Sequence, residues 1–355
     1  MSKLAKLRQK IDQIDSDILR SLNERAQVTL GIGSLKSKNT KPSFSPDREM
    51  QIYRKLIGNN KGPLKDETIK AIYREIMSGS LSLQRPPTIA YLGPQTTFTH
   101  IAALKKFGES LDYINCDSIT DVFTEVERER ATYGVVPIEN SIEGAVNYTL
   151  DMFIDSDLMI CSEVYLPIKH ALMSKSRSLS SVNRVYSHQQ VFAQCRRWLE
   201  KNLPQAKLIP VTSTTLAASL YTARRTNAAI ASELAAEESK LKILARSIED
   251  SAHNITRFLI IGKQLTEPTG QDKTSIAFSM KDRSGALHDV LTPFKKDRIN
   301  LTKIESRPSK KRAWKYYFFV DLQGHIQSKK IKHALQRLKK SCTYFRFLGS
   351  YPSSV

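Results

Sequence analysis

The 355 residues carry 55 Lys and Arg against 35 Asp and Glu, a formal net charge of +20. With 40% apolar and 25% charged residues, the composition is that of a soluble globular chain of two or three domains, and no apolar run reaches the roughly 18 residues a membrane helix needs. Four scattered cysteines (Cys116, Cys161, Cys195, Cys342) form no CxxC and no disulfide framework and fit a reducing cytoplasm, and the seven histidines lack paired-ligand spacing, so no metal is expected.

At the N-terminus Leu alternates with Lys and Arg without an apolar h-region, so no secretory signal is read. Leu4, Leu7, Ile11, Ile14, Ile18 and Leu22 recur at alternating spacings of three and four, the narrow seam of a coiled-coil or long bundle helix. The pattern runs on weakly through Val28 and Ile32 to Leu35. Gly31 and Gly33 interrupt it at about 1 kcal/mol each against Ala, which suggests close approach of another backbone. Residues 39–46, with two prolines and two serines, break the helix. A second helix is predicted from Pro46 to Ile57 and a third from Leu64 to Leu83.

Polar residues on these helices share faces. Arg25 and Lys36 are eleven positions apart, which at about 100° per residue places them within roughly 20° of each other. Arg8 points about 100° away from Arg25, suited to a second subunit. Ser45, Arg48 and Glu49 stand at i, i+3 and i+4, and Ser80 and Gln84 at i, i+4. The run L-x-x-L-R-x-x-I-D-x-I-D-x-x-I-L, then N-E-R-A, L-K, P-D-R-E and S-x-x-x-Q, resembles the all-helical chorismate mutases over the whole segment. The resemblance implies a polar, cationic site between two intertwined subunits, built from Arg8 of the partner chain with Arg25, Lys36, Ser45, Arg48, Glu49, Ser80 and Gln84 of the other. A pericyclic rearrangement needs no protein acid, base or nucleophile. It needs two carboxylates clamped by Arg and donors at the breaking ether oxygen, roles that fall to Lys36 and Gln84. Ser45 stands where relatives often carry Asp, which implies weakened rather than lost activity.

Gln84–Thr88 (Q-R-P-P-T) stops the third helix and favours extended backbone, a natural boundary. Strands are then expected at Thr88–Gly93, Leu111–Cys116, Tyr133–Ile138, Leu158–Ser174, Arg184–Ser187, Lys207–Val211, Asn227–Ala231 and Thr256–Gly262, with helices between most of them, the alternation of a doubly wound α/β domain. No GxGxxG or GxxxxGK[ST] occurs, which removes dinucleotide and P-loop functions. Polar loops fall where such sheets bind ligands: G-P-x-x-T-F-T-H from Gly93, V-V-P-I-E-N-S-x-x-G-x-V from Val135, Y-S-H-x-Q from Tyr186, S-T-T-x-A-A from Ser213, and N-x-T-R-F at Asn254–Phe258. In that order they resemble the prephenate dehydratases, whose two α/β lobes hold the site in a cleft.

The resemblance implies decarboxylative loss of hydroxide from a cyclohexadienol, driven by aromatisation. Thr256 maps to the family's essential Thr and is the expected donor to the leaving hydroxyl. Glu139 is the rival acid, or else a cap or packing carboxylate. Thr97, Thr99, Asn140, Ser141, Ser213 and Thr214 are neutral donors suited to carboxylates, joined by Asn254. Arg257 either binds a carboxylate or braces the cleft, on the strand face opposite Thr256. His188 reads best as a helix-start residue. Thr96 stands where relatives often have Gly or Ala.

Beyond the loop Glu267–Gly270, the order is strand Thr274–Met280, helix Gly285–Lys296, strands Asn300–Arg307 and Tyr316–Leu322, helix Ser328–Lys340 and strand Tyr344–Ser350, a ferredoxin-like βαββαβ pattern. S-G-A-L-x-x-V-L at Ser284–Leu291 and I-N-L-T-K-I-E-S-R-P at Ile299–Pro308 resemble the ACT domains attached to prephenate dehydratases. Relatives bind phenylalanine there between paired domains, which implies Gly285, Ala286 and Leu287 on one wall and Glu305, Ser306, Arg307 and Pro308 on the other. Much of the positive charge lies here, at Lys310, Lys311, Arg312, Lys329, Lys330, Lys332, Lys339 and Lys340, with no interleaved stacking aromatics, and reads as a solvated face rather than a nucleic-acid site. The expected molecule is a cytoplasmic homodimer or higher homo-oligomer. Its helical mutase spans residues 1–85, its α/β dehydratase 88–262 and its ACT domain 272–355. It needs no cofactor, and it makes prephenate from chorismate and then phenylpyruvate, under feedback by L-phenylalanine. Arogenate as substrate, an inactive mutase module, and a non-catalytic amino-acid sensor are the alternatives.

Overall fold

The computed structural model describes residues 2–38, 44–176, 178–220, 224–309 and 315–354. The centre of the expected break at 39–46 and the basic residues 310–312 lie outside the described residues. The chain divides into two compact units, Met1–Thr88 with Lys106–Asp112, and Ile89–Lys105 with Tyr113–Val355.

The first unit is built on three helices, α1 (Lys3–Lys38), α2 (Pro46–Asn59) and α3 (Asp66–Ser82). Pro46 opens α2, where its missing N–H costs nothing. α1 runs unbroken through both glycines, and its seam residues Leu4, Leu7, Ile11, Ile14 and Ile18 are exposed, each 48–58% accessible in the single chain. Gly33 makes room for a side chain rather than the expected backbone: a Cβ there would lie 2.8 Å from Gln84 Cγ. Gly31 faces open space.

After the three helices comes an α/β lobe of β1 (Thr88–Leu92), α4 (Phe98–Phe107), β2 (Asp112–Cys116), α5 (Ile119–Glu127), β3 (Tyr133–Asn140), β4 (Gly144–Ala145), α6 (Asn147–Asp155) and β5 (Met159–Pro167). The second lobe holds β6 (Ala171–Ser174), β7 (Arg184–Ser187), α7 (Gln189–Gln194), α8 (Arg196–Asn202), β8 (Lys207–Pro210), α9 (Thr214–Leu220), β9 (Asn227–Ala231), α10 (Glu233–Glu238) and β10 (Lys242–Ala245). The chain then returns to the first lobe as β11 (Ile255–Gly262). The sheets run β2-β1-β3-β11-β5, with β4 on β3, and β10-β6-β9-β7-β8.

Two expectations change here. The single strand predicted at 158–174 is two strands in different sheets, split where the chain crosses between lobes at residues 168–170. The sheets are mixed rather than doubly wound: β11 re-enters from the other lobe and so runs antiparallel to both β3 and β5. The outgoing and returning crossings are tied by Ile168 N–H to Asn254 O (2.8 Å) and Ile248 N–H to His170 O (3.0 Å).

The ferredoxin-like part comprises β12 (Asp272–Ser279), α11 (Ala286–Lys296), β13 (Leu301–Pro308), β14 (Tyr316–Gln323), α12 (Lys329–Ser341) and β15 (Tyr344–Pro352), in sheet order β13-β14-β12-β15. α12 buries Ile331, Ala334, Leu335 and Leu338 against the sheet and leaves Lys329, Lys330, Lys332, Lys339 and Lys340 facing out. This sheet does not stand apart from the first lobe. Ala277, Phe319, Leu348 and Tyr351 share one apolar core with Phe153, Ile160 and Leu259. At Gly349 (φ 148°) a Cβ would lie 2.2 Å from Ile160 O, so only glycine permits β15 to meet β5 this closely.

Candidate active sites

β11 lies between β3 and β5, with Thr256 opposite Asn140 and Arg257 opposite Glu139. The ladder then slips by one residue, so that Phe258 faces Pro137. Pro137 has no N–H to give, which places the irregularity there. Asn140 Oδ1 accepts from Ile142 N–H (2.9 Å) and Glu143 N–H (3.1 Å), and these backbone donors fix the amide's orientation. Its Nδ2 therefore donates to Asn254 Oδ1 (2.7 Å) and Thr256 Oγ1 (2.8 Å). The Thr256 oxygen is thus an acceptor within the protein, and among the described residues no acceptor takes its hydrogen. Asn254 turns its oxygen to Asn140, and its Nδ2 is buried with no partner among the described residues. Two donors accordingly stand next to each other at the start of β11 with no acceptor among the described residues. An unmet buried donor costs about 1–3 kcal/mol, which a structure tolerates where a ligand repays it.

Around this pair the remaining polar residues shape loops. Ser141 Oγ donates to His253 O (2.7 Å) and accepts from Ile255 N–H (2.9 Å). Thr97 Oγ1 serves Pro94 O (3.0 Å) and Leu92 O (3.2 Å) and accepts from His100 N–H. Thr99 is buried in α4. His188 caps α7 through Nδ1, accepting from Gln190 N–H. Ser213 precedes α9 and accepts from Leu216 N–H (3.0 Å), with Thr214 the first helical residue. Thr96 has a left-handed φ of 67°, a strain of about 1–2 kcal/mol for a residue with a Cβ. Its hydroxyl meets Thr215 Oγ1 at 3.1 Å and its carbonyl accepts from Ser232 Oγ at 2.7 Å, so it ties the first lobe to the second.

In the helical unit, Arg25 donates to Ser80 Oγ, and Ser80 in turn donates to Ile76 O at 2.7 Å. Gln84 Nε2 reaches Ser80 O (3.3 Å) while its stem lies over Gly33. Arg25, Ser80 and Gln84 therefore come together. Glu49 is buried and paired with Lys106 at 2.5 Å. Ser45 donates to Asp47 Oδ1 (2.6 Å), which puts a carboxylate beside the residue that departs from the relatives' pattern. Arg48 bonds Gln51 (3.2 Å), and Arg8 is exposed on α1. Lys36 lies on α1, but its side chain is outside the described residues.

In the ferredoxin-like part a cavity of about 690 Å³ opens at the N-terminus of α11, lined by Gly285, Ala286, Leu287, Tyr316 and Phe318 among others. Gly285 caps the helix with φ 75°. That volume falls within the range of small-molecule sites.

Three segments match known families: chorismate mutase type II over residues 7–85, prephenate dehydratase over 89–266 and the ACT domain over 274–340. The bifunctional chorismate mutase/prephenate dehydratase of Aquifex aeolicus is 52% identical, covering 100% of this chain and 99% of that protein. The solved prephenate dehydratase of Arthrobacter aurescens in complex with L-Phe is 35% identical with a TM-score of 0.69, covering 75% of this chain and 90% of that one. A solved chain described as a novel type of quorum quenching acylase also has a TM-score of 0.69, at 26% identity, over 75% of this chain and 98% of its own. Full-length identity across all three segments decides the matter. The chain belongs to the bifunctional chorismate mutase/prephenate dehydratase family.

Within this bifunctional enzyme the fold alone does not choose the chemistry, so the side chains must. Of the two roles expected for Arg257, the geometry favours bracing. The residue is 3% exposed and its guanidinium is held by Glu163 (2.8 Å), Asp321 (2.6 Å), Glu139 (3.0 Å) and Tyr351 (2.9 Å). Burial opposes its charge, but Tyr351, Asp321 and Glu163 outweigh that and keep it protonated. Glu139 is equally ill-suited to act as an acid. Burial alone would raise its pKa, yet Lys303 and Arg257 hold it below the ordinary carboxylate value. Arg307, expected on the effector wall, instead pairs with Asp151 (3.1 Å). Glu305, Ser306 and Pro308 lie on the same strand, whose neighbour β14 supplies Tyr316 and Phe318 to the cavity.

The sequence reading missed the Lys106–Glu49 pair, the Thr96–Thr215 tie and the acidic partners of Arg257. Only the last had a signal: an Arg amid a run of buried strand residues demands buried carboxylates.

Proposed function

We propose that Thr256, Asn140 and Asn254 form the working centre of the dehydratase, in the module spanning residues 88–262. The enzyme converts chorismate to prephenate and prephenate to phenylpyruvate with loss of carbon dioxide and water. The observation that carries the assignment of residues is the Asn140 amide donating into Thr256 Oγ1, which leaves the Thr256 O–H to point at substrate. As the ring C–O bond breaks, charge grows on the departing oxygen and this donor strengthens, further polarised by the Asn140 bond. The C–C bond to the carboxylate breaks in concert, its electron pair entering the ring and completing aromaticity. The departing hydroxide is protonated from solvent, since Glu139 is held as a carboxylate. Asn254 Nδ2 is the second donor, to the same oxygen or to a substrate carboxylate.

For the rearrangement, in the module spanning residues 1–85, Arg25 and Gln84 are the substrate-facing donors supported by Ser80, with Lys36, Arg48 and Glu49 alongside and Arg8 entering from a second copy. The exposed seam of α1 supports a homodimer. A chain with a half-bare helix of this length loses on the order of 25 cal/mol per Å² of apolar surface left in water. L-phenylalanine would bind in the 272–355 module at the Gly285 cavity. The cysteine usage suits the cytoplasm.

Steady-state assays of the purified full-length protein on prephenate and on arogenate test the substrate assignment. A higher kcat/KM on prephenate is expected; preference for arogenate would transfer the same site to the amino substrate. Sedimentation equilibrium showing a monomer at micromolar concentration would remove the shared mutase site.

A further inference from the structure

Thr256 and Arg257 are neighbours on β11 with separate sets of partners. Thr256 meets Asn140, whereas Arg257 meets Glu163 on β5, Glu139 on β3, Asp321 on β14 and Tyr351 on β15. The cluster extends further: Lys303 on β13 pairs with Glu139, and Lys273 on β12 with Glu163 at 2.8 Å. Each of the four strands of the ferredoxin-like sheet thus sends one polar side chain (Lys273, Lys303, Asp321 or Tyr351) to the three strands around the dehydratase centre. Three cations (Arg257, Lys273, Lys303) face three carboxylates (Glu139, Glu163, Asp321), so the cluster is neutral. Ser275 Oγ holds Asp321 Oδ1 at 2.5 Å and fixes its direction.

We propose that Asp321 and Lys303, residues of the ferredoxin-like sheet, are positioning residues for the dehydratase, acting through Arg257 and Glu139 on Thr256 and Asn140. The inference rests on the reading of Thr256 and Asn140 as the working centre. Glu139 immediately precedes Asn140, and Arg257 immediately follows Thr256, so that Thr256–Asn140 and Arg257–Glu139 are two successive register pairs. A displacement of either charged side chain is therefore passed by a single peptide to the donor beside it. A buried ion cluster does not deform gradually, because an unpaired charge inside it is strongly disfavoured; it holds one arrangement or changes to another. The effector cavity lies on the same strand: Phe318 lines it, three residues before Asp321 on β14. Phe318 is also stacked on Phe278 of β12 at 5.5 Å, so occupancy of the cavity bears on two of the four strands that reach the cluster.

The test uses the full-length enzyme with Asp321→Asn and Lys303→Met, measuring both activities in one preparation. Because misplacement of catalytic donors by about 1 Å can cost about 100-fold, each variant should lose at least roughly tenfold in dehydratase kcat, with KM little changed and the mutase rate retained. L-phenylalanine should still bind by calorimetry but have a weakened effect on the dehydratase rate. Loss of stability with kcat and the phenylalanine response both unchanged would reduce the cluster to packing and overturn the proposal. If Asp321→Asn does not fold, Lys303→Met, at the edge of the cluster, carries the same two readouts. Thr256→Val serves as the reference: if it is inactive while both cluster variants match wild type, the centre stands and the coupling falls. If Thr256→Val is active, the assignment of the centre itself is wrong.

Discussion

Replacing Thr256 with Val removes one hydroxyl and keeps the shape of the side chain. The folded state loses the acceptor for one of two Asn140 Nδ2 bonds, the one at 2.8 Å, while the 2.7 Å bond to Asn254 stays. That is a cost of about 1 kcal/mol, too small to unfold the protein. The reaction loses much more. One preorganised donor to a developing oxyanion is worth about 2.7–4 kcal/mol, so kcat should fall roughly 100- to 1,000-fold. The bond strengthens only as the C–O bond breaks, so KM should change less than about threefold. Thr256→Ser keeps the donor and should recover most of the rate. Phenylpyruvate formation from prephenate reads the loss, and prephenate formation from chorismate in the same sample confirms that the protein is folded. A kcat for Thr256→Val within about fivefold of wild type would refute the donor role.

Arg25→Ala should produce the opposite pattern, with the mutase reduced by at least about 100-fold and the dehydratase spared, because the proposed carboxylate clamp, which sits beside Ser80, is lost. Glu163→Gln leaves Arg257 and Lys273 without their shared buried carboxylate and should lower unfolding stability by about 3–5 kcal/mol in urea titrations. Glu139 has a folded-state pKa below its ordinary value, so its contribution is full above that ordinary value and is lost as pH falls through the depressed one. Urea titrations should therefore find wild type and Glu139→Gln furthest apart near neutrality and converging in acid; a gap that widens in acid would contradict the pairing with Lys303 and Arg257. Gly285→Val places a β-branched residue at φ 75° beside the cavity proposed for the effector, and should weaken L-phenylalanine binding by about tenfold in calorimetry.

Much of this architecture was legible because local signals agreed with the fold. Pro46 marked a helix start, the β-branched and aromatic run from Tyr316 to Leu322 marked a strand, and the motif loops fell at strand ends. What was not legible depends on partners distant in sequence. The stretch 158–174 reads as one apolar run, and nothing within it says that β5 and β6 belong to different sheets. Arg257 could be expected to face away from Thr256 by strand periodicity, but Asp321 and Tyr351, more than sixty residues later, decide what it meets. Arg307 was placed in the effector wall by its motif, and Asp151 of the first lobe claims it instead. Ser45 looked like a missing carboxylate until Asp47 turned out to bond it. The exposed seam of α1 was visible as a seam; what covers it is a matter of assembly.

One chain performs two successive reactions under control of its ferredoxin-like domain. Ultraviolet turnover of chorismate, and then of prephenate, by the full-length protein with and without L-phenylalanine tests it most directly. Prephenate from chorismate, phenylpyruvate from prephenate, and suppression of the second reaction by L-phenylalanine are the expected results. Turnover of prephenate alone would leave the helical unit as a dimerisation module, and turnover of neither substrate would contradict the assignment of both sites.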